Sequence, residues 1–136
     1  RQLMEQLLGH KMPIETGKYK HTDDTDRFDY LMLNSTFALC PRGYGNTSYR
    51  LVEAMQYGAI PVYISDVFSL PYTDVIDWNK ISIIVKPNEI EGLYERLKAI
   101  TQDEVEQYRK EIKDVYDNYF TMDGCCGNML RYVQIC

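Results

Sequence analysis

The sequence predicts an α/β domain built on part of a doubly wound parallel sheet, with a helical C-terminal region. Two patterns carry that prediction. Short, continuously apolar runs at 36–40, 60–65 and 81–85 alternate with helical stretches, and strands apolar on both faces belong to parallel sheets covered on both sides. Beyond residue 85 the apolar positions recur only at spacings of three and four, which is the period of helices.

Taken in order, residues 1–8 read as a helix end stopped by Gly9, and residues 10–24 as a polar connector. From Asp26, Phe28, Leu31 and Met32 fall at helical spacing, and Asn34-Ser35 ends that helix before the first strand, 36–40. Pro41 to Thr47 is a turn-rich loop with two glycines, followed by a helix from Ser48 to Tyr57 that Gly58 closes. Ile60 to Ser65 is the second strand and Ile81 to Val85 the third. Ile90, Leu93, Leu97 and Ile100 form one helical stripe, and Val105, Tyr108, Ile112, Val115 and Tyr119 a second. Three strands are fewer than the five or six of a complete doubly wound sheet, so the expectation is a piece of a larger unit whose other strands precede Arg1.

Composition narrows the function classes. With 136 residues, 45% of them hydrophobic, residues 1–136 make one domain with a real core. A net charge of −5 excludes a broad basic footprint, so nucleic acid is not an expected partner. No apolar run reaches the roughly 18 residues of a membrane-spanning helix. Cys40, in the apolar run Phe37-Ala38-Leu39-Cys40, reads as a small buried thiol. Cys125, Cys126 and Cys136 share a tail that, if helical, sets Cys136 about 15 Å from the pair, too far for a bridge. His10 and His21 are remote from any cysteine pair, so no zinc site is expected.

The chemistry-bearing segment is strand, glycine loop, helix: Leu39-Cys40-Pro41-Arg42-Gly43-Tyr44-Gly45-Asn46-Thr47-Ser48-Tyr49-Arg50-Leu51-Val52-Glu53. A loop after a parallel strand lies at the carboxyl edge of the sheet, where open α/β folds bind ligands. Gly43 and Gly45 allow positive φ and close backbone approach. The helix start near Ser48 offers N–H groups and the positive end of the dipole to an anion such as a diphosphate. Arg42 and Arg50 add guanidinium forks, and Asn46, Arg50, Glu53 and Tyr57 fall on one helical face while Leu51, Ala54 and Met55 take the buried one. Arg50 and Glu53 at i and i+3 also suit a plain surface ion pair. The segment lacks the third glycine of a dinucleotide fingerprint and the Gly-Lys-Ser/Thr of a P-loop.

The run Phe37-Ala38-Leu39-Cys40-Pro41-Arg42-Gly43, then Ser48-Tyr49-Arg50-Leu51-Val52-Glu53-Ala54-Met55, then Gly58-Ala59-Ile60-Pro61-Val62-Tyr63-Ile64-Ser65-Asp66, with Leu70-Pro71 and Ile76-Asp77-Trp78, resembles the exostosin family of glycosyltransferases over about residues 36–100. The resemblance implies a GT-B fold of which this is the Rossmann-like, C-terminal, donor-binding lobe, lacking its N-terminal lobe. It implies hexosyl or pentosyl transfer from a nucleotide diphosphate sugar to a glycan or glycoprotein acceptor, with inversion, no bound metal and no further cofactor. It puts Arg42 and Arg50 at the diphosphate, Glu53 at the ribose hydroxyls and Asp66 at the cleft edge. The expected donor-binding set is thus Arg42, Gly43, Tyr44, Gly45, Ser48, Arg50, Glu53 and Asp66. A eukaryotic member would sit in the Golgi lumen, anchored through a segment N-terminal to this chain, and a bacterial or viral one in the cytoplasm.

Asp24-Thr25-Asp26 matches the Asp-x-Asp of metal-dependent GT-A transferases, but a polar stretch precedes it and a helix follows, so a helix cap with acidic first-turn residues explains it better. Inverting transfer needs a general base at the acceptor hydroxyl and stabilisation of the departing diphosphate. This chain is expected to supply the second only, and no catalytic base is assigned; His21, Asp66 and Asp77 have plainer structural readings. The chain alone is therefore expected to be inactive, and the alternative is a non-catalytic nucleotide-sugar or glycan binding module.

Overall fold

The computed structural model describes residues 25–133. The helix end at Gly9, the connector 10–24, Asp24, both histidines and Cys136 lie outside the described residues. The elements run α1 (Thr25–Asn34), β1 (Phe37–Pro41), α2 (Tyr49–Gln56), β2 (Ile60–Ile64), β3 (Ile83–Val85), α3 (Ile90–Lys98), α4 (Gln102–Val115) and α5 (Met122–Val133). Single 3₁₀ turns cover Trp78–Lys80 and Pro87–Glu89, and a π-helical turn, Tyr116–Phe120, joins α4 to α5. Asp26 lies in the first turn of α1.

The three strands form one parallel sheet in the order β1-β2-β3. Phe37 pairs with Ile60 and Pro41 with Ile64, while Val62 pairs with Ile83 and Ile64 with Val85. The described residues thus show an α/β fold with a parallel sheet, as the apolar runs predict. The central strand is buried at every position, the mark of a strand covered on both faces.

Helix α2 lays Leu51, Ala54 and Met55 against the sheet. Its end is a Schellman closure, with the Gly58 amide donating to Met55 O and the Ala59 amide to Ala54 O, and Gly58 at φ 73°. Helix α4 contacts both β2 and α2, and it starts from a capping box in which Thr101 Oγ1 accepts from the Glu104 amide while Glu104 accepts from the Thr101 amide. Among the stripe residues, Ile90, Leu93, Leu97, Val105 and Ile112 are buried, and Ile100, Tyr108, Val115 and Tyr119 half-buried.

Element ends differ from the sequence reading for local reasons. Strand β3 starts at Ile83, not Ile81, because the Ile81 and Ser82 amides both donate to Trp78 O and are spent on the 3₁₀ turn that Asp77 caps. Strand β2 stops at Ile64 because Ser65 folds into a turn: its hydroxyl donates to Val67 O and accepts from the Val67 amide. The second helical stripe is not one helix. At Tyr116–Phe120 the chain widens into a π turn, and Gly124 passes so close that a Cβ there would lie 2.7 Å from the Asn118 carbonyl group. The aromatic rings of Tyr119 and Phe120 pack on Tyr72 and Trp78, which ties this turn to the segment between β2 and β3. Helix α5 then carries Met122, Met129, Leu130 and Val133 exposed.

Candidate functional site

The loop from Arg42 to Ser48 leaves the carboxyl end of β1 and enters α2, and Asp66 leaves the carboxyl end of the adjacent β2. Because the strands are parallel and in register, Arg42 and Asp66 arrive at the same edge of the sheet. The Arg42 amide donates to Ile64 O at 3.0 Å, which continues the ladder one step past β1, and its guanidinium Nε meets Asp66 Oδ1 at 3.0 Å. Both side chains are about half exposed, so this pair contributes little net stability by itself.

Arg50 is held elsewhere. Its Nε lies 3.4 Å from Glu53 Oε2, and its guanidinium carbon stands 4.7 Å over the Phe28 ring of α1. Phe28 in turn meets Tyr57 edge to face, and the Tyr57 hydroxyl donates to Asp29 Oδ1. That hydrogen bond to a carboxylate, with some burial, pushes the Tyr57 phenol above its ordinary pKa. The charge of Arg50 also reaches the Cys40 thiol in β1. Burial nonetheless dominates there, and the Cys40 pKa is pushed up to about 12, which keeps the thiol neutral and inert. The structure thus brings the eight expected residues to one stretch of the molecule but divides the charged ones into an Arg42–Asp66 pair and an Arg50–Glu53 pair, with no ion pair between them among the described residues.

Two expectations need correction. Asn46 does not share the helical face of Arg50, Glu53 and Tyr57, because α2 begins at Tyr49 with Ser48 as its N-cap and Asn46 still belongs to the loop. Gly43 and Gly45 do not use positive φ; among the described glycines only Gly58 does. Nor does packing among the described residues demand them, since there a Cβ at Gly45 would meet nothing within 4 Å and one at Gly43 only Thr47 O at 3.9 Å. Ser48 caps α2 by backbone geometry alone, with no capping bond from its hydroxyl.

One structural contributor escaped the sequence reading. Tyr63 is fully buried in β2, and its hydroxyl donates to Asn46 O at 2.5 Å, with Val67 O at 3.4 Å. A single phenol therefore fastens the glycine loop to the loop after β2. A tyrosine inside an otherwise aliphatic strand was the available signal, since a buried hydroxyl must find a partner. Among the described residues, no three His, Cys, Asp or Glu side chains cluster as metal ligands.

Comparison with known proteins covers the stretch that holds this edge. The family model for the exostosin GT47 domain matches residues 1–100, which includes the loop, α2 and all three strands. The exostosin-1 homolog of Caenorhabditis elegans is 37% identical over 102 residues, which cover 74% of this chain and 27% of the relative. Exostosin-1b of Danio rerio is 33% identical over 104 residues, 75% of this chain and 14% of the relative. Exostosin-1 of Mus musculus is 31% identical over 98 residues, 71% of this chain and 13% of the relative. The chain thus spans between about an eighth and about a quarter of the length of these relatives. A family match over most of the chain, laid on a parallel sheet that carries Arg42 at its carboxyl edge, establishes that this chain belongs to the exostosin family of glycosyltransferases.

Proposed function

We propose that this chain binds the donor of a glycosyltransferase that moves a hexosyl or pentosyl group from a nucleotide diphosphate sugar onto a glycan or glycoprotein acceptor. The observation that carries the reading is Arg42. Its backbone is bonded to Ile64, its guanidinium stands at the sheet's carboxyl edge, and the loop beside it carries two glycines that, among the described residues, neither conformation nor packing requires.

In this reading the acceptor hydroxyl attacks the anomeric carbon, the bond from that carbon to the diphosphate oxygen breaks with inversion, and the acceptor proton passes to a base supplied outside this chain. The charge that develops on the departing diphosphate is met by Arg42 and Arg50 and by the first-turn amides of α2, with Ser48 and the Gly43-Tyr44-Gly45 backbone lining the approach. Asp66 already holds Arg42 through Nε, so the diphosphate takes the Nη donors of that fork. Glu53 accepts from the ribose hydroxyls. No metal and no further cofactor takes part; what supports this is the setting of Asp24-Thr25-Asp26, where Asp26 belongs to the first turn of α1. The chain is the C-terminal lobe of a GT-B pair, its sheet is extended to a doubly wound one by further strands, and in a eukaryotic cell it works in the Golgi lumen beside an N-terminal lobe that places the acceptor.

Calorimetry with nucleoside diphosphates tests the proposal. Arg42→Ala weakens binding about tenfold or more with an unchanged circular dichroism spectrum, because a charge-assisted hydrogen bond is lost. Arg42→Lys recovers only part of it. Equal affinity in all three proteins overturns the reading. Donor affinity that survives chelator, and no turnover without the other lobe, are the further expected results.

A further inference from the structure

Helix α1 meets α2 through Phe28 and Asp29, and the charged group at that meeting is Arg50. The Phe28 ring lies against the Arg50 guanidinium, 4.7 Å from its carbon to the ring centroid, and meets the Tyr57 ring edge to face, at 5.9 Å between centroids and 84° between planes. The Tyr57 hydroxyl donates to Asp29 Oδ1, so α1 is gripped at two successive residues, one by its ring and one by its carboxylate. Glu53 Oε2 takes Arg50 Nε at 3.4 Å. Among the described residues Arg50 makes no ion pair with Asp29, and its Nη groups make no hydrogen bond. With its side chain 39% exposed, Arg50 is held and still reachable.

A free arginine loses rotamer freedom when a ligand fixes it, and that loss weakens binding. A carboxylate holds a guanidinium by taking its N–H donors, whereas an aromatic face attracts the charge and takes none. Phe28 therefore restrains the Arg50 guanidinium and leaves its Nη donors for an anion. Tyr57, edge-on to that ring and tied to Asp29, restrains Phe28 in turn. We infer that Phe28 and Tyr57 are positioning residues, which hold the Arg50 guanidinium ready for the diphosphate while touching no ligand themselves. The inference rests on the reading in which Arg50 meets the diphosphate, and adds to it the wall on α1 that keeps Arg50 in place.

The test uses the full chain, with uridine diphosphate and inorganic pyrophosphate as probes in calorimetry. Arg50→Ala weakens both about tenfold. Phe28→Leu, which stays apolar and loses the ring face, weakens both about fivefold, and Phe28→Tyr keeps both within about twofold of wild type because the face remains. In the Arg50→Ala background Phe28→Leu changes neither affinity by more than about 1.5-fold, whereas a merely structural role for the ring would cost the same in both backgrounds. Tyr57→Phe removes one hydroxyl and keeps its ring on Phe28, so it gives the milder form of the same result, about twofold in the wild-type background and no change in Arg50→Ala. It carries the test if Phe28→Leu does not fold, which circular dichroism checks. Losses of equal size in both backgrounds, or affinities that survive Phe28→Leu and Tyr57→Phe while Arg50→Ala lowers them, overturn the positioning and leave Arg50 at the diphosphate. Probes that bind Arg50→Ala as tightly as wild type remove Arg50 from the site and the inference with it, while Arg42 is judged by its own variants. A wild-type chain that binds neither probe overturns the donor site as well.

Discussion

Every residue of β2 is buried, whereas residues 42–47 of the loop beside it are all exposed. The two segments are neighbours, joined by the Arg42 amide and the Tyr63 phenol, yet different physics selects their residues. In β2 the side chains are held on both faces of the sheet, so volume and apolarity decide. In the loop, Gly43, Tyr44 and Gly45 are exposed and, among the described residues, a Cβ at Gly45 would meet no atom within 4 Å, so packing sets few limits on their identities. A substitution should therefore cost stability in the strand and ligand affinity in the loop.

The largest separation is expected at Ile60, fully buried at the start of β2. Ile60→Ala removes a packed side chain and leaves a cavity, at about 2 to 5 kcal/mol by urea unfolding. Arg42→Ala, by contrast, leaves the urea midpoint nearly in place while nucleotide binding falls. Equal losses of stability in both would erase the distinction between the regions.

The next effect is a pH dependence rooted in β1. The Cys40 thiol is held neutral by burial, with a pKa of about 12 against 9.0 for a free thiol. Its contribution to stability is complete below pH 9 and drains away as pH rises from 9 toward 12, because the unfolded chain ionises first. Alkaline unfolding should therefore be less steep across that window in Cys40→Ala, although that variant is already weaker at pH 7. An identical slope would show that the thiol is not what the alkaline limb reports.

These two regions were not equally legible in the sequence. The strands were readable because burial on both faces makes short continuous apolar runs, helix α2 and the helical stripes because burial of one face imposes a period of 3.6, and Cys40 from its apolar neighbours. The ends of β2 and β3 were not, because Ser65 and the Asp77-capped turn commit backbone groups locally in ways that hydrophobic pattern does not register. The π turn at Tyr116–Phe120 was missed for a related reason: its aromatics keep an apolar rhythm while the backbone widens. In the loop, physics alone marked a ligand edge and two guanidiniums, and the family resemblance assigned their partners. Tyr63 was hidden because its strand reads as plain core.

Tyr63 also bridges the regions, which makes it the next probe. Tyr63→Phe keeps the buried ring and removes one hydroxyl, so the cost is about 1 kcal/mol in urea. Because that hydroxyl fastens the glycine loop at Asn46 O, nucleotide affinity should fall as well, more than in any other strand variant of equal stability. A stability loss with unchanged affinity would mean that the loop holds its shape without the strand.

The smallest effect is the sharpest, since it compares one residue type in two settings. Gly58 ends α2 at φ 73°, where a side chain is strained whatever the space around it, so Gly58→Ala should cost about 1 kcal/mol. Gly45 has no positive φ and no atom within 4 Å of a built Cβ, so Gly45→Ala should stay within about 0.5 kcal/mol of wild type. An added methyl at Gly45 nevertheless stands in the open space where a diphosphate would approach the backbone, and nucleotide affinity is expected to drop several-fold. Urea midpoints and calorimetry on the two alanine variants would then give opposite patterns: stability lost at Gly58 with binding kept, binding lost at Gly45 with stability kept. If Gly45→Ala instead proves neutral in both measurements, the space above the loop is not where the ligand lies, and the diphosphate must be sought nearer the Arg50–Glu53 pair.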